Sequence, residues 1–139
     1  REYPLSNNAA LDLQGLKILV VDDSKTIRRT AETLLVKAGC SVFTAIDGFD
    51  ALSKIADYHP DLVLVDIMMP RLDGYQTCSL IKHNKTFRDT PVIMLSSKDG
   101  IFDRARGRIV GSDQYLTKPF TKDELLTTIS NQINSGNNT

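Results

Sequence analysis

Short apolar runs alternate along the chain with longer segments in which apolar residues recur at helical spacing. Apolar residues three or four positions apart, such as Ile27, Ala31 and Leu34, predict amphipathic helices between the runs. The runs begin 20 to 30 residues apart, which is the length of one strand followed by one helix. The pattern therefore predicts an α/β fold of five strand–helix units, with strands at 17–21, 41–45, 61–65, 91–95 and 113–117.

Several of these runs have the character of fully buried strands. Residues 18–21 and 62–65 are apolar throughout, as expected for a parallel sheet that is covered by helices on both faces. Gly39 and Gly111 lie where predicted helices end, a position that glycine favours. Residues that commonly cap a helix N-terminus precede three of the predicted helices: Ser24, Asp73 and Thr121.

Composition is typical of one globular domain and excludes several classes of protein. The 139 residues are 41% hydrophobic and 24% charged, which is enough to form one core. Seventeen basic and 17 acidic residues leave no net charge, which argues against general binding to nucleic acid. No apolar run approaches the ~20 residues of a membrane helix, and residues 1–13 lack the apolar core of a signal peptide. We therefore expect a cytoplasmic domain at 16–134, without membrane insertion, between polar tails at 1–15 and 135–139.

Residues capable of chemistry follow four of the five predicted strands: Asp22 and Asp23, Asp66, Ser96, and Lys118. Ligands of an open parallel sheet bind beyond the carboxyl ends of its strands, so we expect these side chains to converge there. A single loop aspartate is usually a solvated surface residue, but three carboxylates packed together repel one another unless a cation neutralises them. Oxygen ligands favour Mg²⁺, and a carboxylate beside a divalent cation and a lysine can accept a phosphoryl group.

Four motifs at these strand ends resemble the receiver domain of two-component response regulators: VDDSKT, VDIMMPRLDGY, LSS and YLTKPF. The resemblance extends over residues 16–133. It implies a (βα)5 flavodoxin-like fold, which is a doubly wound parallel five-stranded sheet with strand order 2-1-3-4-5. Longer segments are similar to single-domain regulators of the chemotaxis-like systems that control type IV pili, which implies a role in twitching motility.

The resemblance also implies an acceptor and a metal site. Asp66 corresponds to the phosphoacceptor, which takes a phosphoryl group from a phosphohistidine. Asp22 and Asp23 correspond to carboxylates that bind Mg²⁺, together with Asp66 and the backbone carbonyl of Met68. Because only the carbonyl of residue 68 is needed, a methionine is compatible with this role.

Further residues correspond to the switch that responds to phosphorylation. Lys118 and Ser96 are implied to contact the phosphoryl oxygens, and the Lys118–Pro119 peptide is implied to be cis. Tyr115 matches an aromatic residue that turns inward when Ser96 moves toward the phosphoryl group. From the residues alone, Tyr115 would be interpreted as an amphipathic aromatic residue at the surface.

Two basic segments are candidate partner surfaces. The first predicted helix carries the implied docking site for the phosphodonor: Lys25, Ile27 and Arg28. The fourth predicted helix, at about 99–110, carries Arg104 and Arg108 four residues apart on one face. With Tyr115 they form the implied output surface, and a solvated charged face is the alternative.

The leading hypothesis is a monomeric, single-domain phosphorylation switch. Its donor would be a histidine kinase or histidine phosphotransfer domain, and its output would be a protein partner in pilus control rather than nucleic acid. We do not expect an enzyme, beyond self-catalysed phosphotransfer and a slow autodephosphorylation that Met68 and Lys98 would tune. The main alternative is a receiver fragment of a larger hybrid kinase or regulator.

Other hypotheses are weaker. A phosphatase of the haloacid dehalogenase type needs two aspartates separated by one residue, whereas Asp22 and Asp23 are adjacent. A flavin carrier would need a Ser/Thr-rich phosphate loop after the first strand, and the sequence has none there. Scaffolding independent of phosphorylation would not require the acidic residues and lysine at the strand ends.

Overall fold

The predicted strands and helices are present in the computed structural model, which describes residues 13–97 and 101–137. The described residues form five strands: β1 (Lys17–Val21), β2 (Ser41–Ala45), β3 (Leu62–Asp66), β4 (Val92–Ser96) and β5 (Gln114–Thr117). They also form five helices: α1 (Lys25–Lys37), α2 (Gly48–Tyr58), α3 (Gly74–Lys82), α4 (Ile101–Ile109) and α5 (Lys122–Asn137). None of these described helices has the length and apolar character needed to cross a membrane.

The strands form one parallel sheet in the order β2-β1-β3-β4-β5, which confirms the predicted fold class. β1 lies between β2 and β3, and Ile18 is in register with Val42 on one side and Leu62 on the other. The chain moves outward from β1 to β2 and then crosses back over β1 to β3. The loops after β1 and β3 therefore diverge at the point where the direction of winding changes, which is where such sheets bind ligands.

Successive residues of β1 belong to two separate apolar clusters, one on each face of the sheet. Ile18 and Val20 pack into the first cluster, whereas Leu19 and Val21 pack into the second. The first cluster includes buried residues of α1 and α5: Ala31, Leu35, Leu125, Leu126 and Ile129. The second includes buried residues of α2 and α3: Ala51, Ile55, Tyr75, Cys78 and Ile81. Burial on both faces explains why β1 is apolar throughout.

Local capping interactions set several helix boundaries as predicted. Ser24, Asp73 and Thr121 each accept a hydrogen bond from the backbone N–H three residues later. Gly39 and Gly111 have φ values of +95° and +92°, a conformation that glycine adopts without the strain of a side chain. Gly39 lies two residues after the end of α1, and Gly111 lies two residues after the end of α4.

Residues on either side of the expected domain at 16–134 also have defined structure. Leu13 is buried in the first apolar cluster, and the N–H of Gly15 donates to the carbonyl of Gly39 over 2.8 Å. At the other end, α5 continues through Asn137. The burial of one leucine and the continuation of an existing helix are set by tertiary packing rather than by local composition. Residues 1–12 and 138–139 of the expected tails lie outside the described residues.

Candidate functional site

Three carboxylates meet at the carboxyl ends of the two central strands. Asp22 and Asp23 follow β1, and Asp66 is the last residue of β3. Ligand oxygens of the three side chains all lie within 4.8 Å of one another, and we call this cluster the acidic pocket. Asp22 and Asp66 are 0% and 3% exposed, whereas Asp23 is open to solvent. The pocket therefore combines a fixed, buried floor with one accessible carboxylate.

Lys118 brings a positive charge to the acidic pocket from the end of β5. Its Nζ donates to Oδ1 of Asp66 over 2.9 Å and to Oδ2 of Asp22 over 3.2 Å. Burial acts to lower the pKa of the Lys118 ammonium, but the hydrogen bonds and negative charges of Asp66 and Asp22 outweigh it and raise the pKa. Lys118 is therefore charged at neutral pH. The Lys118–Pro119 peptide is cis, the isomer that the resemblance implies.

The protonation of Asp66 reflects competing influences. Burial raises the pKa of its carboxyl group, the hydrogen bond from Lys118 lowers it, and the charge of Asp22 raises it again. The backbone N–H of Met68 also donates to the carboxylate, which lowers the pKa. The net effect is a raised pKa, so one lysine does not fully neutralise the acidic pocket.

The acidic pocket fits a hard divalent cation such as Mg²⁺. Its donors are all oxygens, the three carboxylates are close enough to share one ion, and Asp23 leaves an open side for water or substrate. The side chain of Met68 is 73% exposed, while its backbone lies against the Asp66 carboxylate. The main chain of residue 68 is therefore next to the pocket, as the resemblance implies.

Asp22 is held in place by three groups from different parts of the chain. The N–H of Ser24 donates to Oδ1 over 2.8 Å, and Lys118 donates to Oδ2. Arg28, on the first turns of α1, donates from Nη1 to the Asp22 carbonyl over 2.6 Å. Arg28 therefore supports the loop under the pocket as well as forming part of α1, where Lys25 is exposed and Ile27 is half-buried.

Gly74 lies directly beneath Asp66. A Cβ atom at residue 74 would lie 2.3 Å from the Asp66 carbonyl oxygen and 2.7 Å from Cα of Ile67. Both are backbone atoms of the strand end, so they cannot rotate away. The N–H of Gly74 donates to the Ile67 carbonyl over 2.9 Å and closes the loop at residues 67–74. The start of α3 can approach the pocket only because residue 74 has no side chain.

Comparison with known proteins identifies this arrangement. The model of the response regulator receiver domain family matches residues 18–130. The chain belongs to this family. The match includes both central strands, the acidic pocket and the lysine at the end of β5, so the receiver fold accounts for nearly all of the described residues.

Relatives of this receiver include stand-alone and longer proteins. Protein PilG of Pseudomonas aeruginosa is 74% identical over 121 residues, which cover 87% of this chain and 90% of PilG. The probable transcriptional regulator ycf27 of Porphyridium aerugineum is 44% identical over 113 residues, covering 81% of this chain but 46% of that protein. The solved structure of chemotaxis protein CheY4 of Vibrio cholerae is 32% identical, with a TM-score of 0.81 over 84% of this chain and 98% of CheY4.

Ser96 and Tyr115 lie on neighbouring strands of the receiver sheet. Ser96 is buried at the end of β4, and β4 residue Met94 is in register with Tyr115 on β5. Since side chains two residues apart share a face, Ser96 and Tyr115 are diagonal neighbours on the same face of the sheet. The phenol ring of Tyr115 is half-buried and packs against the second apolar cluster.

The implied output residues also lie together. The guanidinium carbon of Arg104 is 5.5 Å from the centroid of the Tyr115 ring. A surface concavity of about 310 Å³ opens between α4 and β5, and we call it the α4–β5 concavity. It is lined by Arg104, Arg108, Ser112, Asp113, Gln114 and Tyr115. Lys98, which precedes α4, lies outside the described residues.

Local sequence patterns do not predict two further contacts, because each joins distant segments of the chain. The guanidinium group of Arg71, in the loop after β3, donates to the carboxylate of Asp47 at the start of α2. The guanidinium carbon of Arg106 on α4 is 4.4 Å from the ring centroid of Tyr75 on α3. Of these four residues, Asp47 alone stands in a recognisable local pattern. An aspartate before a helical segment is a common N-cap, and the Asp47 side chain does cap α2.

Proposed function

We propose that this chain is a phosphorylation switch in which Asp66 accepts a phosphoryl group from a phosphohistidine. The donor would be a histidine kinase or a histidine phosphotransfer domain. The observation that carries the proposal is the setting of Asp66, whose buried carboxylate is bonded to Lys118 within a cluster of three carboxylates. No simple structural purpose is served by burying carboxylates that repel one another, whereas a phosphoacceptor beside a cation site requires them.

In the proposed reaction, a carboxylate oxygen of Asp66 attacks phosphorus and forms a P–O bond. The P–N bond to the donor histidine breaks, and the leaving imidazole keeps the electron pair and takes up a proton. Lys118 stabilises charge on the phosphoryl oxygens, and the hydroxyl of Ser96 donates to one of them. The acidic pocket and the carbonyl of Met68 would hold Mg²⁺, and the bound ion would supply further positive charge near the transferring group.

The proposed output depends on the coupling of Ser96 to Tyr115. If Ser96 moves toward a phosphoryl group, space opens on its face of the sheet, and Tyr115 turns inward to fill it. That movement withdraws the ring from Arg104 and reshapes the α4–β5 concavity, which a protein partner then reads. Docking of the donor falls to the exposed end of α1, around Lys25 and Ile27.

A role in control of type IV pili and twitching motility is the process we favour for this switch. It is supported by the 74% identity to PilG and by the resemblance to single-domain pilus regulators. Expression of this chain in Pseudomonas aeruginosa cells that lack PilG should restore twitching, and the Asp66→Asn variant should not. Failure of the unmodified chain, despite normal expression, would count against this process but not against phosphorylation.

A receiver module within a larger kinase or regulator is the second candidate. It is favoured by the ycf27 relative, of which this chain spans about half the length. The two candidates share the chemistry at Asp66 and differ in the length of the encoding reading frame. A reading frame that continues into an effector or kinase domain would select the second candidate.

Labelling with acetyl phosphate tests the proposed chemistry directly. In the presence of Mg²⁺, the wild-type chain should gain one phosphoryl group, detected by intact mass, and Asp66→Asn should gain none. Asp57→Asn, which removes an exposed carboxylate on α2, is the matched control and should be labelled normally. Undiminished labelling of Asp66→Asn would refute the assignment of the acceptor.

Slow loss of the phosphoryl group is part of the same proposal. The side chain of Met68 is exposed and its main chain lies beside Asp66, so we expect this large side chain to restrict the approach of water to phosphorus. A half-life of only seconds with Mg²⁺ would contradict this expectation. Met68→Ala should shorten the half-life without preventing labelling.

A further inference from the structure

The loop that follows Asp66 carries the proposed main-chain metal ligand, which is the carbonyl of Met68. Gly74 closes the base by donating to the Ile67 carbonyl over 2.9 Å, and Met68 lies one residue beyond this closure. The N–H of Met68 donates to the Asp66 carboxylate. Ile67 and Met69, on either side of Met68, are buried in the second apolar cluster, and beyond Met69 the loop is held around residue 71.

Arg71 holds the far end of this loop through two contacts with the start of α2. Its Nη2 donates to Oδ2 of Asp47 over 2.5 Å, and its guanidinium carbon lies 5.4 Å from the ring centroid of Phe49. Arg71 also has φ of +66°, a conformation that disfavours residues other than glycine. Residues held in such a conformation persist where their surroundings require it, and functional sites are where they cluster.

Stability of the fold does not explain these contacts. The Arg71 side chain is 67% exposed, and ion pairs at that exposure contribute little to the free energy of unfolding. Asp47 already has a structural role in which Oδ1 accepts from the N–H of Asp50 and caps α2. Its second oxygen, Oδ2, is directed to Arg71, which joins the start of α2 to the loop beside the acidic pocket.

We propose that Arg71 is a positioning residue for divalent cation binding. By fastening the loop at residues 67–74 to Asp47 and Phe49, it keeps the Met68 main chain against Asp66, where its carbonyl can complete the ligand set of the acidic pocket. This inference rests on the proposed function, because it presupposes that the pocket binds Mg²⁺. It adds Arg71 and Asp47, which are not themselves ligands, to the residues that set the affinity.

Electrostatics alone makes the opposite prediction for Arg71. Removing a positive charge near an acidic pocket should tighten Mg²⁺ binding, and removing the negative charge of Asp47 should weaken it. Positioning predicts that both removals weaken binding, because either one releases the loop. The signs of the two effects therefore distinguish the explanations.

The test is a calorimetric Mg²⁺ titration of the full chain and its variants at low ionic strength. Arg71→Gln and Asp47→Asn should each raise the Kd about 10-fold, the low end of what losing an outer partner of a metal ligand costs. Asparagine caps helices as well as aspartate does, so Asp47→Asn leaves the start of α2 intact. The double variant should bind no more weakly than either single variant, because both break the same contact.

Further variants separate positioning from general effects. Arg71→Lys keeps the charge and can still reach Asp47, so it should recover part of the affinity. Arg88→Gln, which removes an exposed arginine from another loop, should leave the Kd unchanged. The Met68 amide resonance should broaden or shift in Arg71→Gln and Asp47→Asn before Mg²⁺ is added, while thermal unfolding confirms that both variants are folded.

Two results would overturn the inference in different ways. If the wild-type chain binds Mg²⁺ but Arg71→Gln binds it equally well or more tightly, Arg71 acts only as a nearby charge or not at all. If the wild-type chain shows no Mg²⁺ binding, the metal site of the proposed function fails, and the role of Arg71 fails with it.

Discussion

The acidic pocket and helix α4 are built in contrasting ways. The pocket lies at the carboxyl ends of β1 and β3, where both strands are buried, and the carboxylates of Asp22 and Asp66 each accept two hydrogen bonds. Among the α4 side chains that the structure describes, at 104–109, Gly107 is the one that is buried. Ile109 at the end of α4 is 83% exposed.

This difference suits the separate tasks that we propose for the two regions. Phosphoryl transfer needs charges held in a fixed geometry, which the buried strand ends provide. A region that reports phosphorylation must change its state for a small free energy, and elements with few buried apolar contacts do so most readily. Contacts between α4 and neighbouring elements include those of Arg104 with the Tyr115 ring and of Arg106 with the Tyr75 ring.

Replacing one glycine by alanine in each region should give the largest difference in the free energy of unfolding. Gly74→Ala should lower the free energy of unfolding by about 2–3 kcal/mol, because its Cβ would overlap the backbone of Asp66 and Ile67. A Cβ atom at residue 107 in α4 would lie 2.9 Å from the Ser112 hydroxyl, which can rotate away, and 3.9 Å from the Met94 side chain. Alanine also favours a helix by about 0.5–1 kcal/mol relative to glycine. Chemical denaturation should therefore find Gly107→Ala close to wild type. Similar losses in both variants would show that α4 is packed as tightly as the acidic pocket.

Removing the lysine of the acidic pocket should have the next largest effect. Lys118→Met leaves Asp22 and Asp66 buried without their cation and should destabilise the fold by about 2 kcal/mol, below the usual cost of breaking a buried pair because the pocket is partly open. Adding Mg²⁺ should recover part of this loss. The control Lys85→Met, at an exposed loop position, should unfold at the wild-type denaturant concentration. Equal stability of both variants would mean that water solvates the carboxylates of the pocket as well as Lys118 stabilises them.

The raised pKa of Asp66 predicts a pH-dependent stabilisation by Asp66→Asn. Burial is the main cause of the raised pKa, so the folded state binds this proton more tightly than the unfolded state. The stabilisation due to that proton is fully present below the unfolded-state pKa of about 4 and is lost as pH rises through the folded-state pKa. Without divalent cations, Asp66→Asn should therefore be more stable than wild type at pH 7. The difference should be smaller than the loss in Lys118→Met and should disappear near pH 4.

A destabilised Asp66→Asn at pH 7 would contradict this reasoning. It would mean that the hydrogen bond from Lys118 outweighs burial and the repulsion of Asp22. Asp57→Asn provides the baseline, since its exposed carboxylate should change stability little at any pH in this range.

The fold and the acidic pocket could be predicted because both follow from local patterns. Apolar runs define the strands, and parallel strands bring their carboxyl ends to one edge of the sheet, so Asp22, Asp66 and Lys118 had to converge. Two predicted strands were one residue too early, since β3 and β4 include Asp66 and Ser96. Strand pairing continues through these polar residues because their backbones still bond to the neighbouring strands.

The remaining features depend on contacts between distant segments, which local patterns do not encode. Arg71 and Asp47 are 24 residues apart, and an arginine after proline gives no sign that it adopts a positive φ. Leu13 lies outside the five strand–helix units of the pattern, yet its side chain belongs to the first apolar cluster. The contact of Arg106 with Tyr75 likewise requires α3 and α4 to lie side by side, which only the folded sheet brings about.

The smallest predicted effect tests the attachment of α4 itself. Arg106→Gln removes the guanidinium group from the Tyr75 ring, a contact worth about 0.5–1 kcal/mol where it is exposed. The free energy of global unfolding should fall by no more than this, whereas amide exchange in α4 should accelerate about two- to five-fold. Tyr75→Phe retains the aromatic face and should leave exchange in α4 unchanged, and Arg108→Gln should do the same. If exchange accelerates equally in α4 and in β1, the helix unfolds together with the sheet. The contrast between a fixed pocket and a separately responsive α4 would then be wrong.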